Sequence, residues 1–156
     1  MRRTPLLLSS MVLTLLLVSG AALAVNKVGT DGRDTLRGTN GADNLSGKGG
    51  SDRLISLAGN DNLSGGPGSD RLDGGPGSDT ESGGDGGDFL FDTGEGVRNS
   101  SDSLSGGAGD DALLTRDVPA GKDAVSCGSG TDIVFADRAD VIANDCEQVV
   151  FGFPEG

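Results

Sequence analysis

Residues 29–91 read GTDGRDTLR GTNGADNLS GKGGSDRLI SLAGNDNLS GGPGSDRLD GGPGSDTES GGDGGDFLF, seven consecutive nonapeptides without a slip in register. The fourth residue is always glycine, at Gly32, Gly41, Gly50, Gly59, Gly68, Gly77 and Gly86. The sixth is always aspartate, at Asp34, Asp43, Asp52, Asp61, Asp70, Asp79 and Asp88. The eighth is leucine at Leu36, Leu45, Leu54, Leu63, Leu72 and Leu90, with Glu81 in the remaining place. A fixed internal period signals a repeat architecture. A flexible Gly/Ser/Asp linker, the bland alternative, has no reason to hold Gly and Asp in constant phase.

Each nonapeptide divides into two parts. Its first six residues are small and glycine-rich, suited to a tight turn with positive φ angles. Its last three form a very short strand with one side chain pointing inward. Two nonapeptides complete one flattened coil, so residues eighteen apart stack at the parallel-sheet spacing of roughly 4.8 Å. Leu36, Leu54, Leu72 and Leu90 then form one inner ladder, and Leu45 and Leu63 the other. Asp34, Asp52, Asp70 and Asp88 line one turn edge, and Asp43, Asp61 and Asp79 the opposite edge. Such columns of carboxylates repel one another unless a cation sits between successive turns. Carboxylates and turn carbonyls are hard oxygen donors, which suit Ca²⁺ better than a transition metal.

Downstream the period loosens. Residues 92–96 (DTGEG) read as a loop insertion. Val97 to Ser105 keeps only Asp102 and Leu104, whereas GGAGDDALL restores Gly109, Asp111 and Leu113. After a second break at Thr115-Arg116-Asp117, Gly121, Asp123 and Val125 hold the pattern, then Gly130, Asp132 and Val134. Asp140 and Ile142 keep its last trace before the apolar run Val149 to Phe151. This segment, 97–156, reads as degenerate repeats and a cap on the same array. Val25 to Val28 reads as the first edge.

The flanks and composition set the context. Arg2 and Arg3 precede an apolar run, and Ala22-Leu23-Ala24 fits a small-residue cleavage site. Residues 1–24 therefore read as a secretory signal peptide, with an uncleaved N-terminal anchor as the alternative, and a secreted, extracellular protein is expected. Removal of that segment takes two arginines and no acid, so the net charge of −12 becomes −14. So acidic a chain repels nucleic acid and anionic membranes. With five Phe and neither Trp nor Tyr, it lacks the large side chains of a conventional core. Residues 25–156 are expected to form one elongated, monomeric domain whose fold bound ions complete.

Two cysteines, Cys127 and Cys146, stand one coil plus one residue apart. In an exported chain the pair is expected to be a disulfide that ties the last two coils. The chain has no His, which removes the usual general base and zinc ligand. No Lys-Ser/Thr follows the glycine turns, so they are not phosphate cradles. Without aromatic platforms for a sugar cleft, the acidic residues do not suggest a glycosidase, and no enzymatic activity is expected.

The motif GGxGxDxUx, as in GGPGSDRLD and GGAGDDALL, resembles the repeats-in-toxin (RTX), or haemolysin-type, calcium-binding repeats. The resemblance is tight over 29–91 and looser over 97–142. It implies an all-β, right-handed parallel β-roll with Ca²⁺ between stacked turns. It implies side-chain ligands at the sixth-position aspartates, Asp111 and Asp132 included, and backbone carbonyl ligands in the turns that carry the fourth-position glycines. Asp31, Asn40 and Asp85 are candidate extra donors. Ser56, Leu57, Thr30 and Thr39 depart from the motif, and so does Glu81 in its inward slot. About five strong Ca²⁺ sites are expected, with affinities around 10⁻⁴–10⁻³ M and binding coupled to folding.

Two functions fit these features. The first is a stand-alone secreted calcium-binding protein. The alternative is a Ca²⁺-rigidified adhesion or envelope module that binds a protein or glycan partner. The varied outward seventh positions, Thr35, Asn44, Arg53, Asn62, Arg71, Thr80 and Phe89, show no regular ladder, which argues against an ordered flat face such as an ice-binding one.

Overall fold

The computed structural model describes residues 23–92, 100–115 and 121–152. The expected signal segment therefore lies almost wholly outside the described residues. Those residues form fourteen short strands and no helix. In chain order the first seven are β1 (Asn26–Val28), β2 (Thr35–Arg37), β3 (Asn44–Ser46), β4 (Arg53–Ile55), β5 (Asn62–Pro67), β6 (Arg71–Asp73) and β7 (Thr80–Asp85). The rest are β8 (Phe89–Asp92), β9 (Ser103–Ala108), β10 (Ala112–Thr115), β11 (Ala124–Ser129), β12 (Ile133–Ala136), β13 (Val141–Ile142) and β14 (Gln148–Phe151).

Odd-numbered strands β1 to β13 make one parallel sheet, and even-numbered strands β2 to β14 the other. The chain alternates between the two, so each pair of strands is one coil of a β-roll. Through the regular repeats the stacking offset is eighteen residues, as Leu36 on Leu54 on Leu72 shows. It lengthens by five across residues 92–96, where Thr80 pairs with Ser103 and Phe89 with Ala112. It lengthens by three across the second break, where Ser103 pairs with Ala124. The ladders thus continue past both breaks.

Alternation along each strand buries the eighth-position residue. Leu45, Leu54, Leu63, Leu72, Leu90, Leu104, Leu113, Val125 and Val134 form the core. That core is one side chain thick per sheet, so burial supplies limited stabilisation, on the order of 2 kcal/mol per leucine. Glu81 occupies the same inner ladder, between Leu63 and Leu104, and is 1 % exposed. Cys127 and Cys146 form a disulfide with a Cα–Cα distance of 5.1 Å, the separation stacked coils present.

One expectation needs correction. The seventh positions lack a ladder only when the two sheets are pooled. On the first sheet, Asn26, Asn44, Asn62, Thr80 and Ser103 stack in register, and Asn44 donates a side-chain hydrogen bond to Asn26. Beside them Ser46, Ser64, Ser82, Ser105 and Ser126 form a second column. An ordered face of small polar residues is therefore present. The irregular residues, Arg53, Arg71 and Phe89, all belong to the second sheet.

Candidate metal centre

The sixth-position aspartates stand where each turn enters a strand, and they form two columns. In the column that feeds the second sheet, the Asp34 amide donates to Asp52 Oδ1, Asp52 to Asp70, Asp70 to Asp88, Asp88 to Asp111 and Asp111 to Asp132. In the other, the Val25 amide donates to Asp43, Asp43 to Asp61, Asp61 to Asp79, Asp79 to Asp102, Asp102 to Asp123 and Asp123 to Asp140. The distances run from 2.7 to 3.1 Å. One oxygen of each carboxylate is thus committed to holding the next coil in place. Asp102 and Asp123, outside the expected ligand set, are full members of their column. The sixth-position spacing of the degenerate repeats carried that signal.

The second oxygen divides the columns into two classes. In Asp52, Asp61, Asp70, Asp79, Asp88, Asp111 and Asp132, Oδ2 is buried and accepts no hydrogen bond. An unpaired buried carboxylate oxygen is costly without a positive partner. Burial accordingly pushes Asp61 and Asp70 up, Asp79 to about 7, and Asp88 and Asp111 to about 6. Neighbouring aspartates of the columns add to the shift by repulsion.

Asp34 and Asp43 behave differently. The Thr30 amide and hydroxyl both donate to Asp34 Oδ2, at 2.6 and 2.8 Å, and hold its carboxyl below the usual range. Burial pushes Asp43 up, but the Thr39 and Val25 amides and the Thr39 hydroxyl outweigh it and leave the group lowered. These two expected ligands are therefore satisfied by the protein itself. The cause is local: Thr30 and Thr39 bring a hydroxyl to the second repeat position, where the next two repeats carry Lys48 and Leu57 and the following three carry glycine.

The free oxygens face a second kind of donor. A Cβ on Gly47 would collide with Asp52 Oδ2 and with the Gly65 carbonyl, both within 2.7 Å of that point. The same pairing recurs at Gly65 (Asp70 and the Gly83 carbonyl), Gly83 (Asp88 and the Gly106 carbonyl) and Gly106 (Asp111 and the Cys127 carbonyl). Each cradle is roofed by a carbonyl of the first repeat position in the next coil. The fourth-position glycines, expected as carbonyl donors, also shape the turns. Gly50, Gly59, Gly68, Gly77 and Gly86 take left-handed backbone, whereas Gly32 and Gly41 do not. Gly50, Gly59 and Gly68 lay their carbonyls against Gly68, Gly77 and Gly86 of the next coil.

A hard divalent cation fits this donor set. Carboxylate and carbonyl oxygens converge from adjacent coils, and the Oδ2 atoms of the seven aspartates lack a proton donor. The second-sheet column ends on another carboxylate, as the Asp132 amide donates to Glu147 Oε2; outside the columns, Asp145 accepts from the Ser126 hydroxyl and the Gly128 amide. The sequence had offered no reason to single out Asp145 or Glu147.

The family model for RTX calcium-binding nonapeptide repeats matches the chain in four copies, over residues 28–63, 46–81, 55–90 and 99–116. Together these cover more than half of the chain. No curated protein and no solved structure gives a significant match.

Proposed function

The chain belongs to the RTX calcium-binding nonapeptide repeat family, and from that premise we propose that it is a secreted calcium-binding protein whose folding is coupled to Ca²⁺. One observation carries the reading: seven column aspartates each hold a buried oxygen with no hydrogen-bond partner. Asp52, Asp61, Asp70, Asp79, Asp88, Asp111 and Asp132 would supply these oxygens, and first-position carbonyls such as Gly65 and Gly83 would complete the shell. Asp34 and Asp43, bonded to threonine, would contribute little. The centre of calcium binding therefore moves downstream of the first two repeats.

Circular dichroism of the metal-stripped chain, before and after Ca²⁺ is added, tests the reading. A gain of β-structure with Ca²⁺ supports it, and β-structure indifferent to Ca²⁺ sinks it. Secretion rests on Arg2, Arg3 and the apolar run that ends at Ala22-Leu23-Ala24. N-terminal sequencing of the exported protein should begin near Val25. The second reading, a rigid platform for a partner, draws support from the stacked Asn, Thr and Ser face of the first sheet. A Ca²⁺-dependent loss of binding to envelope glycans when Asn44 and Asn62 are replaced by lysine would favour it.

A further inference from the structure

The middle of the roll breaks its own pattern. Glu81 stands in the leucine ladder of the first sheet, and Asp92 ends β8 of the second with 0 % exposure. Asp92 lies in the column of first-position residues, between Gly74 and Thr115. The other polar occupants of that column find partners: Ser56 donates to the Gly74 carbonyl, and Thr115 to Asp140 at 2.8 Å. Neither oxygen of Asp92 makes a hydrogen bond, and neither does either oxygen of Glu81.

These side chains meet two column aspartates. One carboxylate oxygen from each of Asp79, Asp92 and Asp102 lies within 4.8 Å of the others, and all three residues are buried. Two oxygens on a single Ca²⁺ are separated by up to about 5 Å, so the three fit one ion. Glu81 lies outside that three-way cluster but approaches its Asp79 member. At Gly74 the point a Cβ would occupy lies 2.6 Å from Glu81 Oε1 and 2.7 Å from Asp79 Oδ2. In the neighbouring cradles a backbone carbonyl takes the place that Glu81 takes here.

We infer that Asp79, Glu81, Asp92 and Asp102 form a second kind of cation site, an all-carboxylate pocket inside the roll that holds one calcium ion more tightly than the turns do. Four buried acids cannot remain ionised together without a positive charge among them. The charges that bear on Glu81 and Asp92 most strongly are carboxylates, which raise the cost of ionising either acid. More anionic ligands in a rigid, dry setting raise calcium affinity, the variables that spread calcium sites over several decades. The site rests on the calcium reading for the identity of the ion, while its geometry stands on these four side chains.

The test uses the full mature chain, stripped of metal and dialysed at a chelator-buffered free Ca²⁺ of about 10⁻⁵ M, below the range of extracellular turn sites. Bound calcium is counted by mass spectrometry. About one ion per chain should remain in the wild type, and Glu81→Leu and Asp92→Asn should each lose it through an affinity drop of about a hundredfold. At millimolar Ca²⁺ both variants should still fill their turns and show β-structure. Glu81→Leu restores the ladder residue, so it decides the matter even where Asp92→Asn does not fold. A wild type that keeps no ion at low Ca²⁺ yet fills at millimolar overturns the interior site and spares the turn sites. So does a Glu81→Leu chain that keeps the same ion. A chain that binds no calcium at millimolar concentration overturns both readings.

Discussion

Aspartates at the same repeat position face opposite situations, and the residue two places into the turn decides which. Where that residue is Thr39, its hydroxyl and amide hold Asp43, whereas Lys48, Leu57 and the glycines of later repeats bring no hydroxyl and Oδ2 stays bare. Asp70→Ala should therefore remove both a free oxygen and the acceptor of the Asp52 amide. It should raise the Ca²⁺ midpoint and cost about 1–3 kcal/mol in the loaded protein, read by denaturant titration. Thr39→Val should cost about 1 kcal/mol and leave the Ca²⁺ midpoint where it was. Lys48 offers a gain instead. It is exposed with φ of 75°, in a slot that later repeats fill with glycine. Lys48→Gly should stabilise the roll by up to about 1 kcal/mol in the same titration, since side chains resist left-handed backbone.

Strands and coils were largely legible in the sequence, and the reasons for the gaps are physical. A period of nine with one apolar residue per repeat determines which side chain points inward, so both leucine ladders and both aspartate columns followed from spacing. Asp92 was read as loop because a lone acid after Phe91 looks like turn chemistry; its burial comes from β8 running one residue further. The polar face was missed because an eighteen-residue coil sorts neighbouring repeats onto opposite sheets. Satisfaction of Asp34 and Asp43 by threonine was invisible too, since it depends on where a hydroxyl reaches. The Cys pair, by contrast, was predictable from coil geometry. Replacement of Cys127 and Cys146 by serine should destabilise the carboxyl-terminal coils by about 3 kcal/mol, measurable by local hydrogen exchange.

Across the whole molecule the raised acids link stability to pH. Asp79 at about 7, and Asp88 and Asp111 at about 6, bind protons more tightly in the folded roll than in the unfolded chain, where 3.8 is usual. Between about pH 4 and pH 7 the metal-free folded state therefore carries the extra protons, and its stability falls as pH rises. Metal-stripped protein should keep β-structure near pH 4.5 and lose it near pH 8, and Ca²⁺ should restore it at pH 8. Dichroism at the two pH values checks this, and calcium uptake at pH 6 should release protons.

The two ends are held by different means from the middle: threonine hydroxyls fasten the first turns, and a disulfide fastens the last coils. Between them, each eighteen-residue coil advances about 4.8 Å when stacked, but the same residues drawn out could span roughly 60 Å. The roll is in this sense a spring clamped at both ends, and on the proposed coupling calcium should shorten it. Under tension it should yield from the centre outward, and the force at which it yields should rise with calcium in a single-molecule pulling experiment.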